Sequence, residues 1–427
     1  MPTTTRELLA FVQQINFASP WSRQNAGGKK IFLGSPSTAI IKSLYDHLAD
    51  FAEHVQEKCN IRELSEMSGS AESENRNISS YIPEPIRTNI IRDLHHRRVF
   101  LMDIRDINKK VQRRIKIHFV YEKLSNRFIQ DALYKIYLWL SIVFSYASLN
   151  CGRELDIFIY FTEDEKKLPG AGTSIGASTG TGIIDREHVN TAFTTSCRPK
   201  IDIHIFRQEE WFKVFLHESF HCFGFDFSAM DSVAREFEDR MIKPHFGLNA
   251  GLDLRIYETY TETWANIIHI LFFSYFSCNT KTKPNTWTNV FRQFEKSLKQ
   301  EQIFSIFQCC KVLSYNGLSY KDVCNGSMEK YNENSNVFSY YILKSVLLVY
   351  ADDFIEWCHY YHRGIGGVLT FQKTGGHIQR FYQFLIDMTC REEYIISVSK
   401  MEEWILANMN KKQYKKIRET MRMTVYG

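Results

Sequence analysis

Residues 217–221 read HESFH, two histidines four apart with a glutamate directly after the first. On an α-helix, positions i and i+4 stand one above the other, so His217 and His221 project from one face and both reach a single ion. Neutral imidazoles bind zinc without cancelling its charge, and zinc lowers the pKa of its water to near 7. Glu218 points in a neighbouring direction, from which a carboxylate can take that water's proton as general base. The chain has 14 histidines, and an aromatic-rich core helix could carry two of them by chance. A metal reading therefore needs a third ligand from elsewhere.

Downstream, RIYETYTETWANIIHI (255–270) reads as a helix with Glu258, Glu262 and Asn266 at four-residue spacing on one face. The intervening chain is long enough for a turn and an antiparallel helix to return to the histidines. Glu262 is a candidate third ligand, and Ala265 three residues on is small where this helix would have to pack closely against the first. Two alternatives stay open: Glu258, one turn earlier, and Asp226. Asp226 follows Gly224, which occupies the turn position of H-E-x-x-H-x-x-G-x-x-H, but the ligand position of that pattern holds Phe227. Asn266 is placed to hydrogen-bond a ligand histidine and set its tautomer.

HESFH followed by ETWAN resembles the zincin metallopeptidases of the gluzincin type, in which two histidines and the glutamate of a later E-x-x-A helix bind zinc. The resemblance implies a zinc metalloendopeptidase with Zn2+ on His217, His221 and Glu262 and with Glu218 as general base. It departs at Asn266, where such families often have Asp. Gluzincins also often place a Tyr or His that steadies the oxyanion at the start of a later helix, which points to Tyr340 and Tyr341. Residues 205–228, with YKIYLWLSIVFSYAS and SYYILKSVLL, are also similar to uncharacterised zincin-like proteins of large nucleocytoplasmic DNA viruses, over roughly residues 110–360. That likeness implies a viral protein in host cytoplasm or in the virion, with virion or capsid components as partners beside a peptide or protein substrate. The competing function is a virion structural or scaffold protein that retains the fold with a stabilising or vestigial zinc site. A purely structural zinc is normally closed by four protein ligands and has no use for a glutamate beside the first histidine.

These residues must be positioned by a larger frame. RRIKIHFVYEK (113–123) and LDIFIYFTE (155–163) read as strands flanking a helix at about 127–150, and VNTAFTTS (189–196) and IDIHIF (201–206) as two more strands. RQEEWFKVFLHESFHCFG then starts the motif helix, with Glu209 and Glu210 in its first turn, where the helix dipole favours acids. Beyond residue 230 the pattern is almost wholly helical. The fold class is thus α+β: a zincin-like lobe with a small mixed sheet and the active-site helix, and a mainly α-helical C-terminal lobe. The expected divisions are an N-terminal helical region (1–63), a Ser-, Glu- and Asn-rich flexible linker (64–82), the α+β lobe (83–235) and the helical lobe (236–427). LPGAGTSIGASTGTGI (168–183) reads as a flexible rim, since it lacks the Lys-Ser or Lys-Thr end of a phosphate-binding loop.

Composition narrows the partners. Hydrophobic residues make up 44% and aromatics 14% of the 427 residues, with 9 prolines, so the chain can bury a large core. A net charge of +5 is too small for a dedicated nucleic-acid groove. IYLWLSIVFSYASLN (136–150) is too short to span a membrane, and the N-terminus shows no secretory signal, which points to a cytoplasmic protein. The 10 cysteines are scattered, and free buried thiols are expected. His204 is expected to be a solvated strand residue.

Overall fold

In the computed structural model, residues 3–15, 23–24, 30–31, 33–68, 78–104, 113–170, 182–279, 284–362 and 367–427 are described. Most of the glycine-rich stretch and part of the Ser/Glu-rich stretch lie outside them.

A six-stranded mixed sheet forms one lobe. Its strands are β1 (Cys59–Ser68), β2 (His96–Ile104), β3 (Arg113–Tyr121), β4 (Glu154–Tyr160), β5 (Ala192–Thr194) and β6 (Lys200–Ile205), in spatial order β1-β2-β3-β4-β6-β5. β3, β4 and β6 are parallel, with Ile117 opposite Ile157 and Ile157 opposite Ile203. The other pairings are antiparallel. Period-two alternation explains the inner face: Ile115, Ile117, Phe119, Leu155, Ile157, Ile159, Ile201, Ile203 and Ile205 are all buried. A helix, α4 (Asn126–Tyr146), links β3 to β4 with eleven buried residues, and Ser125 caps it by accepting from the Phe128 N–H. On the other face, α3 (Glu84–Asp93) lays Ile86 and Ile90 over Tyr160 and Phe206. The rest of that face carries a ladder of stacked rings, His118, Phe158, His204 and Phe193, with centroids 4.3, 4.6 and 4.7 Å apart. His204 is therefore a buried member of a stack and not a solvated residue.

β6 passes into the motif helix α5 (Trp211–Cys222). The helical lobe is built on α6 (Tyr257–Ser277), which is buried almost all round, and on α7 (Trp287–Tyr315). A π-helical turn, Phe338–Leu343, runs on into α8 (Lys344–Val349), and α9 (Ala351–Tyr361), α10 (Gly375–Thr389) and α11 (Glu392–Asn408) follow. The almost wholly helical pattern expected beyond residue 230 does not hold to the end of the chain: the last helical turn closes at Glu419. Residues 420–426 instead run through the interior without regular structure, all buried.

Three expectations change. Residues 64–68 belong to β1, paired with β2 from Ser65–Val99 to Ser68–His96, so the linker does not begin at 64. β2 itself was not anticipated. The N-terminal helices α1 (Thr3–Gln14) and α2 (Ser35–Glu53) are not a separate region: Leu8, Phe11, Ile41, Leu44 and Leu48 join the same core as α7 and α4. Finally, Cys151 and Cys197 form a disulfide, Cα atoms 4.9 Å apart, at the adjoining N-terminal ends of the neighbouring strands β4 and β6. The other eight cysteines are free. Among the described residues no helix is long and apolar enough to cross a membrane.

Candidate metal centre

α5 is apolar and aromatic on most of its surface, and one stripe carries Lys213, His217 and His221 at four-residue intervals. Helix α6 packs against α5 with Glu258 and Glu262 on the facing side. The stripes meet so that three lone-pair atoms converge. His217 Nε2 and His221 Nε2 are 3.1 Å apart, and Glu258 Oε2 lies 3.1 Å from the first and 3.2 Å from the second. A tetrahedral ion with bonds of about 2.0–2.1 Å separates its ligands by about 3.3 Å, close to these spacings. The group His217, His221 and Glu258 could hold a metal ion, and among the described residues no fourth His, Cys, Asp or Glu joins it.

The outer nitrogens are already committed. His217 Nδ1 lies 2.9 Å from Glu262 Oε2, and His221 Nδ1 lies 2.5 Å from Asp226 Oδ2. A carboxylate accepts, so each Nδ1 carries the proton and each Nε2 presents a lone pair. Lone pairs facing one another at 3.1 Å repel unless a cation or proton lies between them. Glu258 Oε2 is buried and has no hydrogen-bond donor of its own among the described residues. That orphaned acceptor, aimed at two imidazole lone pairs, is what an ion would satisfy.

Electrostatics agree with the geometry. Burial works against charged imidazoles, but Glu258 and Glu262 raise the pKa of His217, and Glu258 with Asp226 holds His221 well above its ordinary value. Burial would raise the Glu258 carboxyl, yet His221 and His217 hold it well below the usual carboxylate range. Burial raises Glu218, opposed by the two histidines. Without an ion, protons on the two imidazoles offset the buried carboxylates; a cation held at the same point would take over that role.

Placement of the expected residues is mixed. His217, His221 and Glu218 line one cleft of about 1460 Å³ together with Tyr340. Glu262 is not in the converging set: one oxygen faces the far nitrogen of His217, and the other accepts from Lys213 Nζ at 2.6 Å and Asn266 Nδ2 at 3.1 Å. Glu258, the alternative one turn earlier, takes the inner position. Asn266 therefore reaches Glu262 and not a histidine. Asp226 is neither ligand nor bystander, since it orients His221 and accepts from the Ser228 hydroxyl at 2.8 Å. Gly224, in the left-handed region at φ +68°, makes the turn that returns Asp226 to that histidine.

The tyrosines separate. Tyr340 puts its ring 6.0 Å from that of His217. Tyr341 points the other way, its hydroxyl donating to the Met421 carbonyl at 2.5 Å, so it has no place at the centre. Two contributors were missed. Tyr257 packs edge-on against His221 at 6.0 Å. Lys213, with its ion pair to Glu262, was legible as a lysine four residues before the first histidine on an otherwise apolar helix.

Glu210 does not serve as a dipole-facing acid. It sits before the helix in a left-handed conformation, φ 58°, and its carboxylate pairs with Lys166 and accepts the N–H groups of Met423 and Thr424 at 2.8 and 2.6 Å. The other non-glycine residues with positive φ among those described, Arg255 and Asn336, both line the cleft. Such backbone strain concentrates where side chains are held for function.

No family model matches this chain, and neither a curated protein nor a solved structure matches it.

Proposed function

We propose that the chain is a zinc-dependent peptide hydrolase whose ion is held by His217, His221 and Glu258. The observation that carries the reading is the convergence of two Nε2 atoms and one carboxylate oxygen, with both Nδ1 atoms tied to acids and Glu218 beside them in the cleft. Three protein ligands leave one position open to the cleft, as in catalytic zinc sites, whereas structural sites are closed by four. With Glu258 as the ligand, the E-x-x-A pattern of the gluzincin resemblance is not met, since Thr261 stands three residues on, but a second feature of such families is. The acid that such families often carry one turn after the ligand glutamate, absent at Asn266, is then Glu262.

Bound zinc supplies Lewis acidity, which polarises the scissile carbonyl and acidifies water. Glu218 takes the proton of the attacking water and delivers it to the leaving amine. Tyr340, whose ring stands beside His217, is the residue assigned to steady the carbonyl oxygen as negative charge develops. Lys213 fixes Glu262, Glu262 fixes His217, and Asp226 fixes His221, so the two imidazoles cannot swing. β5, an edge strand of the sheet and part of the cleft wall, offers its free side to an extended peptide.

The test pairs metal analysis with turnover of a peptide library. The purified chain should carry one zinc, and chelation should abolish cleavage. Glu218→Gln should keep the zinc and lose about 10²–10⁴ of the rate. Full activity in that variant would refute its role. A metal whose removal only lowers the melting temperature, with no peptide cleaved before or after, favours the scaffold reading instead.

A further inference from the structure

The Cys151–Cys197 disulfide sits at the C-terminal end of the motif helix, and both of its halves press on that end. Gly152, directly after Cys151, leaves no room for a side chain: a Cβ there would stand 2.7 Å from the Phe223 ring and 2.9 Å from Ile201. On the other half, a Cβ at Gly224 would stand 3.3 Å from Cys197 Cβ and 4.0 Å from its Sγ. The bridge therefore backs Phe223 and Gly224, the two residues on which α5 ends.

The same two residues begin the turn that serves the metal centre. The Gly224 N–H donates to the His221 carbonyl at 3.0 Å and the Phe225 N–H to the Phe220 carbonyl at 2.8 Å, which reverses the chain and returns Asp226 to Nδ1 of His221. Beyond the helix itself, the turn is held from two directions. On one side the Phe371 N–H donates to the Phe225 carbonyl at 2.7 Å, and Lys373 Nζ donates to the Gly224 carbonyl at 2.8 Å. On the other stands Cys197, fixed by its bond to Cys151.

The bridge can open without undoing the sheet. The Gly152 N–H donates to the Arg198 carbonyl at 2.8 Å and the Glu154 N–H to the Pro199 carbonyl at 2.9 Å, which keeps β4 and β6 paired. The Thr195 hydroxyl is tied to Asp202 at 2.9 Å. An open bridge therefore releases the short β5–β6 loop at Ser196 and Cys197, and with it the backing of Gly224. Cys197 is exposed and Cys151 is buried, so a reductant meets the Cys197 sulfur first.

We propose, resting on the metal-centre reading, that the Cys151–Cys197 bridge is a redox-sensitive positioning element for the ligand His221. Closed, it holds the Gly224 turn so that Asp226 fixes the imidazole; opened, it lets Asp226 drift, and zinc affinity falls. The opening step takes a dithiol as reductant. One thiolate of the dithiol attacks the Cys197 sulfur and expels Cys151 as a thiolate, which takes up a proton. The second thiol then displaces Cys197 and leaves the reagent as a cyclic disulfide. Two electrons and two protons pass to the protein, and an oxidised dithiol reverses the exchange.

The experiment measures the zinc affinity of the full chain by competition with a fluorescent chelator, first oxidised, then reduced by a dithiol that is removed before titration, then reoxidised. Reduction should weaken zinc binding about tenfold, the low end of what losing a partner behind a ligand costs, and reoxidation should restore it. Cys151→Ser with Cys197→Ser, which has no thiol there to bind zinc itself, should match the reduced parent and ignore the reagent. Asp226→Ala assigns the route: with no carboxylate left to position, its weakened affinity should be the same oxidised and reduced. A reduced parent that binds zinc as tightly as the oxidised one overturns the proposal and leaves the metal centre intact. So does an Asp226→Ala variant that still loses affinity on reduction. An oxidised parent that binds no zinc removes both readings.

Discussion

Glu258 and Glu262 lie one helical turn apart on the same face of α6, and the first faces the inner nitrogens of both histidines while the second faces the outer nitrogen of His217. Four residues shift a carboxylate by about 6 Å along the axis, enough to exchange the inner nitrogen of His217 for the outer one. Glu258→Gln should therefore cost the chain most of its zinc affinity. Glu262→Gln should keep one zinc, bound about 10–100-fold more weakly. Competition against a fluorescent chelator measures both, and the opposite ranking would return the ligand role to Glu262. The types at this centre were legible: His217, His221 and Glu218 sit in the cleft as their spacing implies, and Tyr340 stands beside them. The choice between the two glutamates was not, because periodicity specifies the face of a helix and says nothing of its translation along a neighbour. Lys213 and Asp226 act through their partners, so local pattern could place them near the histidines without revealing which nitrogen each acid would hold.

At the level of elements, the three parallel strands and the helix between two of them follow from alternation and length. β1 escaped notice because its Ser- and Glu-rich sequence resembles linker composition, and only pairing with β2 makes it a strand. The disulfide escaped for a similar reason. Cys151 and Cys197 are 46 residues apart in the chain and meet only because β4 and β6 lie side by side. Closing a loop of that length restricts the unfolded chain, a contribution of about 4 kcal/mol on the chain-entropy account. Cys151→Ser with Cys197→Ser should lower the urea midpoint accordingly. Reductant should shift the parent protein by a similar amount and leave the double variant where it is. A parent protein indifferent to reductant would show that the bridge contributes nothing.

One large core, beside a smaller cluster under α3, is wrapped around a buried polar spine. Residues 420–426 thread between α5, α7 and α8, where Lys344 donates to the Met423 carbonyl at 3.1 Å and Glu301 accepts from the Val425 N–H at 2.9 Å. Burial pushes the Glu301 carboxyl up to about 7, with the Thr424 hydroxyl bond opposing, from an ordinary value of 4.5. The folded protein keeps a proton there that the unfolded chain has released, so this contribution is complete below about pH 4.5 and falls as pH climbs to about 7. Glu301→Gln retains the acceptor oxygen without the ionisation. Its stability relative to the parent should rise across that window, by about 3 kcal/mol. Calorimetric melts at pH 5 and pH 8 check this, and a difference that stays flat with pH would contradict it. From the amino-acid order alone came the α+β class, the motif helix with its two histidines and neighbouring acid, and the helix that returns with the further carboxylate. Those features are periodic and local, and period is what a sequence displays. Which carboxylate faces both inner nitrogens, the acids behind each imidazole, the disulfide and the course of the last residues were decided only by tertiary packing. Each depends on how far one element slides along another, and that distance is set by the side chains of both.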